Sequence, residues 1–296
     1  MENNTSKLSQ NSLGYWEVTE KPTDEMLQEY YAQKYYQQCK GAHQKVYSQD
    51  ELAFYEAKVI QRAAMINRLL PTLENKTCLD VGCGEGFELQ YFKNNGWDVK
   101  GIDFSSDGMA KQNPSCLNLL ETGNVYELLD KEIESNKKYS VVWLQNVLEH
   151  VIDPQALLQK LLKLVVPDGC AVITVPNDFS ALQKHALETG KIDRDFWVAL
   201  PDHLSYFDAK SLRATSEANG WFCHSVTADF PIDWFLMNES SNYIQNNQVG
   251  KAAHHARVDL ENLIQQQDMN KVLDFWVALA GIGMGRNITA FISPKD

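Results

Sequence analysis

The sequence predicts an α/β protein built on a doubly wound parallel sheet, and three observations predict it. Between Lys76 and Gly169 short apolar runs alternate with stretches of helical spacing, the pattern of parallel strands joined by crossover helices. A glycine-rich turn, LDVGCGEGFE at 79–88, joins the first run to the first helix. A carboxylate, Asp103, ends the second run, 17 residues after Gly86.

The elements follow in order. KTCLDV reads as the first strand, and GFELQYFKNNG as a helix closed by Gly96 just past its end. DVKGID is the second strand and SCLNLL a weaker third. YSVVWLQN is a continuous apolar run of the buried-strand type. Asp153-Pro154 sets a helix cap before a proline at the first helical position, and Leu157, Leu158, Leu161 and Leu162 stripe that helix. Pro167-Asp168-Gly169 makes a turn before the fifth strand, CAVITVP. DAKSLRATSEANG is a helix capped by Asp208 and stopped by Gly220, and WFCHSVTADF is a strand. A helix is expected over 242–266 with Ala252, Ala256, Leu260 and Leu263 inward, and another around Val272, Trp276, Leu279 and Ala280. NITAFISP closes the chain as a strand. The organisation expected is an aromatic-rich helical extension (1–60), a core (61–230), a helical insertion serving as lid or dimer arm (231–284) and a closing strand (285–296).

The 296 residues carry a formal net charge of −12. A surface that tracks phosphates needs a basic patch, so nucleic acid and anionic membrane are not expected partners. No stretch approaches the length of an uncharged spanning helix. The opening MENNTSKLSQNS lacks the apolar centre of a secretory signal. Six cysteines show no CxxC pair, the usage of a reduced, cytoplasmic protein. His254 and His255 are adjacent, which suits no shared-metal helix face, and no metal ligand is expected.

The glycine turn contains Asp80, Glu85 and Glu88 but no lysine or arginine. A nucleoside triphosphate loop needs a lysine. A dinucleotide loop needs G-x-G-x-x-G, whereas Gly82, Gly84 and Gly86 are one residue too close. The carboxylates would repel a diphosphate. S-adenosylmethionine, with a sulfonium and an ammonium, fits better: Asp80 can accept from the amino group while the glycines let backbone approach. Asp103 suits two ribose hydroxyls, Phe104 can cover an adenine, and Asn124-Val125 can meet the adenine edge.

LDVGCGEG, GIDFS, VVWLQNVLEHVIDP and PDGCAVITVPN, in this order, resemble the motifs of class I S-adenosylmethionine-dependent methyltransferases over about residues 60–230. The resemblance implies a Rossmann-like seven-stranded sheet whose last strand is antiparallel. It implies that Asp80, Gly82, Cys83 and Gly84 form the cofactor loop, that Asp103 binds ribose and Asn124 and Val125 meet adenine, and that Gln145 and Asn146 lie beside the methionine part. The adenine-edge residue is often aspartate in the family and here is asparagine.

The acceptor is less constrained. No D/N-P-P-Y/F loop follows the fourth strand, which argues against methylation of DNA bases. Transfer to oxygen needs a held acceptor and a base. His150 and His203 are the candidate catalytic residues, with Glu149, Asn177 and Asp178 nearby in the strand-end loops. His185 falls in a polar, lid-like stretch and is expected to be structural. The PDHLSYF…SLRATSEANGW region is similar to methyltransferases of bacterial surface polysaccharides and other sugars, which implies a sugar hydroxyl as acceptor. A quinone or other aromatic acceptor is the alternative, and a cofactor-binding scaffold without turnover is the third. Trp16, Tyr30, Tyr31, Tyr35, Tyr36, Trp234, Phe235 and Tyr243 suit a sugar pocket, a core or a dimer contact, and Tyr35 and Tyr36 are expected to close the cofactor site.

Overall fold

The computed structural model describes residues 4–23, 26, 27, 30 and 46–295. Tyr31, Tyr35 and Tyr36 lie outside them. The first described elements are a short 3-10 turn, Asn4–Lys7, and a hairpin, β1 (Leu8–Gln10) with β2 (Trp16–Val18). The helical part of the extension is α1 (Gln49–Leu69), opened by a reciprocal cap between Ser48 and Glu51. It runs across the boundary expected between residues 60 and 61 and packs onto the sheet through Ala63, Met65 and Ile66.

The core alternates β3 (Thr77–Val81), α2 (Phe87–Asn94), β4 (Asp98–Asp103), α3 (Asp107–Gln112), β5 (Leu120–Thr122), α4 (Val125–Glu134), β6 (Tyr139–Gln145), α5 (Pro154–Leu162), β7 (Val165–Pro176) and α6 (Ala181–Glu188). Then come β8 (Ser205–Tyr206), α7 (Ala209–Ala218), β9 (Trp221–Ala228), α8 (Gly250–Gln265), α9 (Met269–Gly281) and β10 (Asn287–Pro294). Seven strands make one sheet in the order β5-β4-β3-β6-β7-β10-β9, with β10 antiparallel to both neighbours. Order reverses between β3 and β6, the switch point beyond which ligands bind in such sheets. Side chains alternate across β3: Leu79 and Val81 join a core with α4 and α5, while Cys78 joins one with Met65, Leu89, Phe92 and Trp143. β2 pairs with β8 to make a separate three-stranded sheet over a third apolar cluster.

Three local expectations are corrected. Pro114 opens a 3-10 turn over Pro114–Leu119, so the third strand starts only at Leu120, the last residue of SCLNLL, and runs on to Thr122. The Pro167-Asp168-Gly169 turn is a register slip within β7; a Cβ on Gly169 would lie 2.5 Å from the Ser140 oxygen. The helix expected over 242–266 starts at Gly250 and buries Ala253, Val258 and Glu261, leaving Leu260 and Leu263 exposed. Its inward face is ionic, since Arg257 and Glu261 meet Lys58 and Asp229.

Among the described residues no helix is long and apolar enough to cross a membrane. The five described cysteines are free and buried.

Candidate functional site

The glycine turn emerges where β3 ends. The Gly82 N–H donates to Ile102 O at 2.8 Å, drawing the turn onto β4. Gly82 has φ +72, and a Cβ on it would lie 2.4 Å from Val147 Cγ2, so both conformation and space require glycine. Gly84 differs: a Cβ there meets no atom within 4 Å and would project into the space over the loop. Its N–H donates to Asp103 Oδ2 at 2.8 Å, while Asp103 Oδ1 accepts from Ser105 N at 3.0 Å. Cys83 is buried, and Phe104 is 40% exposed.

Beneath the loop the charges are acidic and dry. Asp80 is 1% exposed, and its Oδ2 has no hydrogen-bond partner. Burial pushes its carboxyl up, reinforced by Glu88 and Asp103. Burial also raises Glu88, which Arg62 partly offsets, and raises Asp103 against the pull of its backbone donors. Glu85 points elsewhere, accepting from the Tyr47 hydroxyl through both oxygens at 3.0 Å. Among the described residues, these three buried carboxyls stand against one buried cation, Arg62, whose guanidinium donates to Gln145 Oε1 and lies 5.9 Å from the centroid of the Trp143 ring. A ligand bearing positive charge relieves that surplus; a diphosphate aggravates it. The residues present therefore fit S-adenosylmethionine.

Other expected cofactor residues are placed as follows. The Asn124 Oδ1 is spent on capping α4, accepting from Tyr126 N and Glu127 N, so only its amide nitrogen remains to donate. Val125 packs its side chain into the core, which leaves its backbone N–H, first in the helix, to face a ligand. Asn146 takes φ +53 directly after β6, with its N–H donating to Thr174 O.

His150 and His203, distant in sequence, meet edge to face with ring centroids 4.8 Å apart. His150 Nδ1 lies 2.7 Å from the Asp202 carbonyl oxygen. A carbonyl only accepts, so Nδ1 carries the hydrogen and the neutral ring presents Nε2 as a base. That Nε2 is 3.8 Å from Glu149 Oε1. Glu149 is buried, its Oε2 has no partner, and burial pushes its carboxyl up to about 8. Tyr30 joins this corner by donating to Asp202 Oδ1 at 2.7 Å. Glu149, His150 and His203 each bring a ligand atom within 4.8 Å of the others, a mixed oxygen–nitrogen set able to hold a divalent cation. Spacing along the chain gave no hint of it, because His203 arrives from another loop. His185 stands exposed on α6.

Arg62 carries no expectation from the sequence: it sits on a helix before the first motif, with no local pattern to single it out.

A family model described as a methyltransferase domain matches residues 53–226, more than half of the chain. A ubiquinone biosynthesis O-methyltransferase of Pectobacterium carotovorum subsp. carotovorum is 33% identical over 113 residues, 36% of this chain and 46% of the relative. One from Photorhabdus laumondii subsp. laumondii is 29% identical over 151 residues, 49% of this chain and 60% of the relative. The chain spans about half the length of the curated relatives it matches. Among solved structures, the plantazolicin methyltransferase BpumL, in complex with a monoazolic desmethylPZN analog and SAH, is 13% identical with a TM-score of 0.52, covering 92% of this chain and 94% of that one. At that identity the likeness shows the fold.

Proposed function

Because the chain belongs to the methyltransferase-domain family and is an S-adenosylmethionine-dependent methyltransferase, we propose that it methylates a sugar hydroxyl in a nucleotide-linked or glycan precursor, a step of polysaccharide biosynthesis in the cytoplasm. One observation carries the choice of acceptor. Glu149 Oε2, Asn177 Oδ1, Asp178 Oδ2 and Ser205 Oγ, all in or beside the loops after β6 and β7, are buried without hydrogen-bond partners. Buried polar atoms cost free energy until something pairs with them, and a polyhydroxyl acceptor supplies partners where an apolar ring does not.

S-adenosylmethionine supplies an activated methyl group when bound. On this reading Asp80 accepts from its ammonium group, and Arg62, held by Gln145, faces its carboxylate. Asp103 takes the ribose hydroxyls, the Asn124 amide and Val125 N–H take the adenine edge, and Phe104 covers the adenine. Catalysis rests on positioning, with His150 Nε2 or its neighbour His203 removing the hydroxyl proton. The Asp202 carbonyl keeps His150 in the useful tautomer.

The curated relatives, named for ubiquinone biosynthesis, favour a second reading, an aromatic hydroxyl as acceptor. The test is release of S-adenosylhomocysteine from a panel of nucleotide sugars, glycosides and catechols, with and without added divalent cation. Turnover on sugars is expected. Turnover confined to catechols would establish the second reading, and cofactor binding with no turnover anywhere would make the protein a scaffold. Dependence on the cation would move the chemistry from a histidine base to the Glu149–His150–His203 set.

A further inference from the structure

Asp178 is the second residue beyond β7 and is buried, with its N–H donating to Phe207 O at 2.8 Å. Its Oδ1 lies 3.4 Å from the Arg286 guanidinium, and its Oδ2 has no partner. Arg286 precedes β10, and its N–H donates to Asp229 Oδ1 at 3.0 Å, which anchors the backbone. Among the described residues, that long contact to Asp178 is the one hydrogen bond its guanidinium makes, and the side chain is 25% exposed. The guanidinium carbon stands 5.8 Å from the Phe196 ring centroid. The neighbouring acid, Asp233, is already spent on Gln183 and on the Tyr243 hydroxyl. Asp178 and Arg286 therefore hold back polar capacity that the protein itself does not use. Asp178 also lies near enough to Glu149, the neighbour of His150 in the chain, to raise its carboxyl further.

We propose that Asp178, Arg286 and Phe196 form the subsite that recognises the sugar ring of the acceptor. This deepens the sugar reading above and rests on it. A sugar presents neighbouring hydroxyls, each donor and acceptor at once, beside an apolar C–H face. The guanidinium offers a planar fork of donors, the Asp178 oxygen an acceptor, and Phe196 an aromatic face. Burial raises the Asp178 carboxyl to about 7, against the pull of Arg286, so near neutral pH it can accept or donate. A planar aromatic acceptor with one or two oxygens would leave much of this set unpaired, the penalty by which such sites reject ligands lacking a hydroxyl.

The experiment is saturation-transfer NMR on the full chain loaded with S-adenosylhomocysteine. The probes are methyl α-D-glucopyranoside, methyl α-D-mannopyranoside, methyl α-L-rhamnopyranoside and catechol. The wild-type protein is expected to transfer saturation to at least one glycoside. Arg286→Lys, which keeps the charge and loses the fork, and Asp178→Asn, which keeps the shape, are each expected to weaken that binding by about tenfold. Their affinity for S-adenosylhomocysteine, read by calorimetry, is expected to be unchanged, which also verifies their folding. Equal transfer in wild type and both variants would overturn the subsite and leave the sugar reading standing. Transfer to catechol alone, or to no probe, would overturn both.

Discussion

Replacing Asp229 by alanine is expected to destabilise the fold by about 3–5 kcal/mol, the cost of breaking a buried ion pair from one side. Asp229 accepts from Lys58 Nζ at 3.2 Å, Arg257 Nη2 at 2.7 Å, the backbone N–H groups of Arg286 and Asn287, and the Asn287 amide. Its removal leaves Lys58 and Arg257 with Glu261 alone and frees two backbone donors at the start of β10. Urea unfolding monitored by circular dichroism measures the loss. The same residue imposes a pH dependence. Burial by itself would raise the Asp229 carboxyl, but Lys58 and Arg257 outweigh it and hold the folded-state value below the ordinary aspartate range. The folded chain then binds this proton more weakly than the unfolded chain. The stabilisation is complete above about pH 4, the unfolded value, and is lost as pH falls further toward the folded one. In Asp229→Asn that share of the acid sensitivity is expected to vanish; an unchanged acid-unfolding profile would contradict the assignment.

Arg62→Met is expected to weaken S-adenosylmethionine binding on the order of 100-fold, about 2–3 kcal/mol for losing one side of a desolvated charge pair. Methionine keeps most of the stem's volume against Met65 and Trp143, so packing changes little. It removes the cation that offsets Glu88 and donates to the Gln145 amide oxygen. Calorimetry of the variant measures the change. A loss smaller than about threefold would mean that Arg62 serves the fold through Gln145 and Trp143 and does not face the cofactor.

Residues that act locally were legible in the sequence. Glycines at 82, 84 and 86 announce a turn because only glycine takes those conformations cheaply, and Asp103 announces itself by ending an apolar run. Asp153, Asp208 and Gly220 punctuate helices as their chemistry requires. Residues whose role depends on distant partners were not legible. Arg62 reaches Gln145, 83 residues away in the chain, and Arg286 meets Asp178 only because β10 enters antiparallel beside β7. The misplaced face of α8 has the same origin. Apolar periodicity finds stripes of leucine, but this helix turns Arg257 and Glu261 inward to close an ionic cluster. The histidines fall between these cases: each was legible as a candidate base, while their 4.8 Å approach was not.

The carboxylate-lined turn is tested most directly by titrating the purified chain, in a calorimeter, with S-adenosylmethionine and separately with NAD. Saturable binding of S-adenosylmethionine in the micromolar range, about −8 kcal/mol, with none for NAD, is the predicted result. Binding of NAD, or no heat from S-adenosylmethionine up to millimolar concentration, would contradict it.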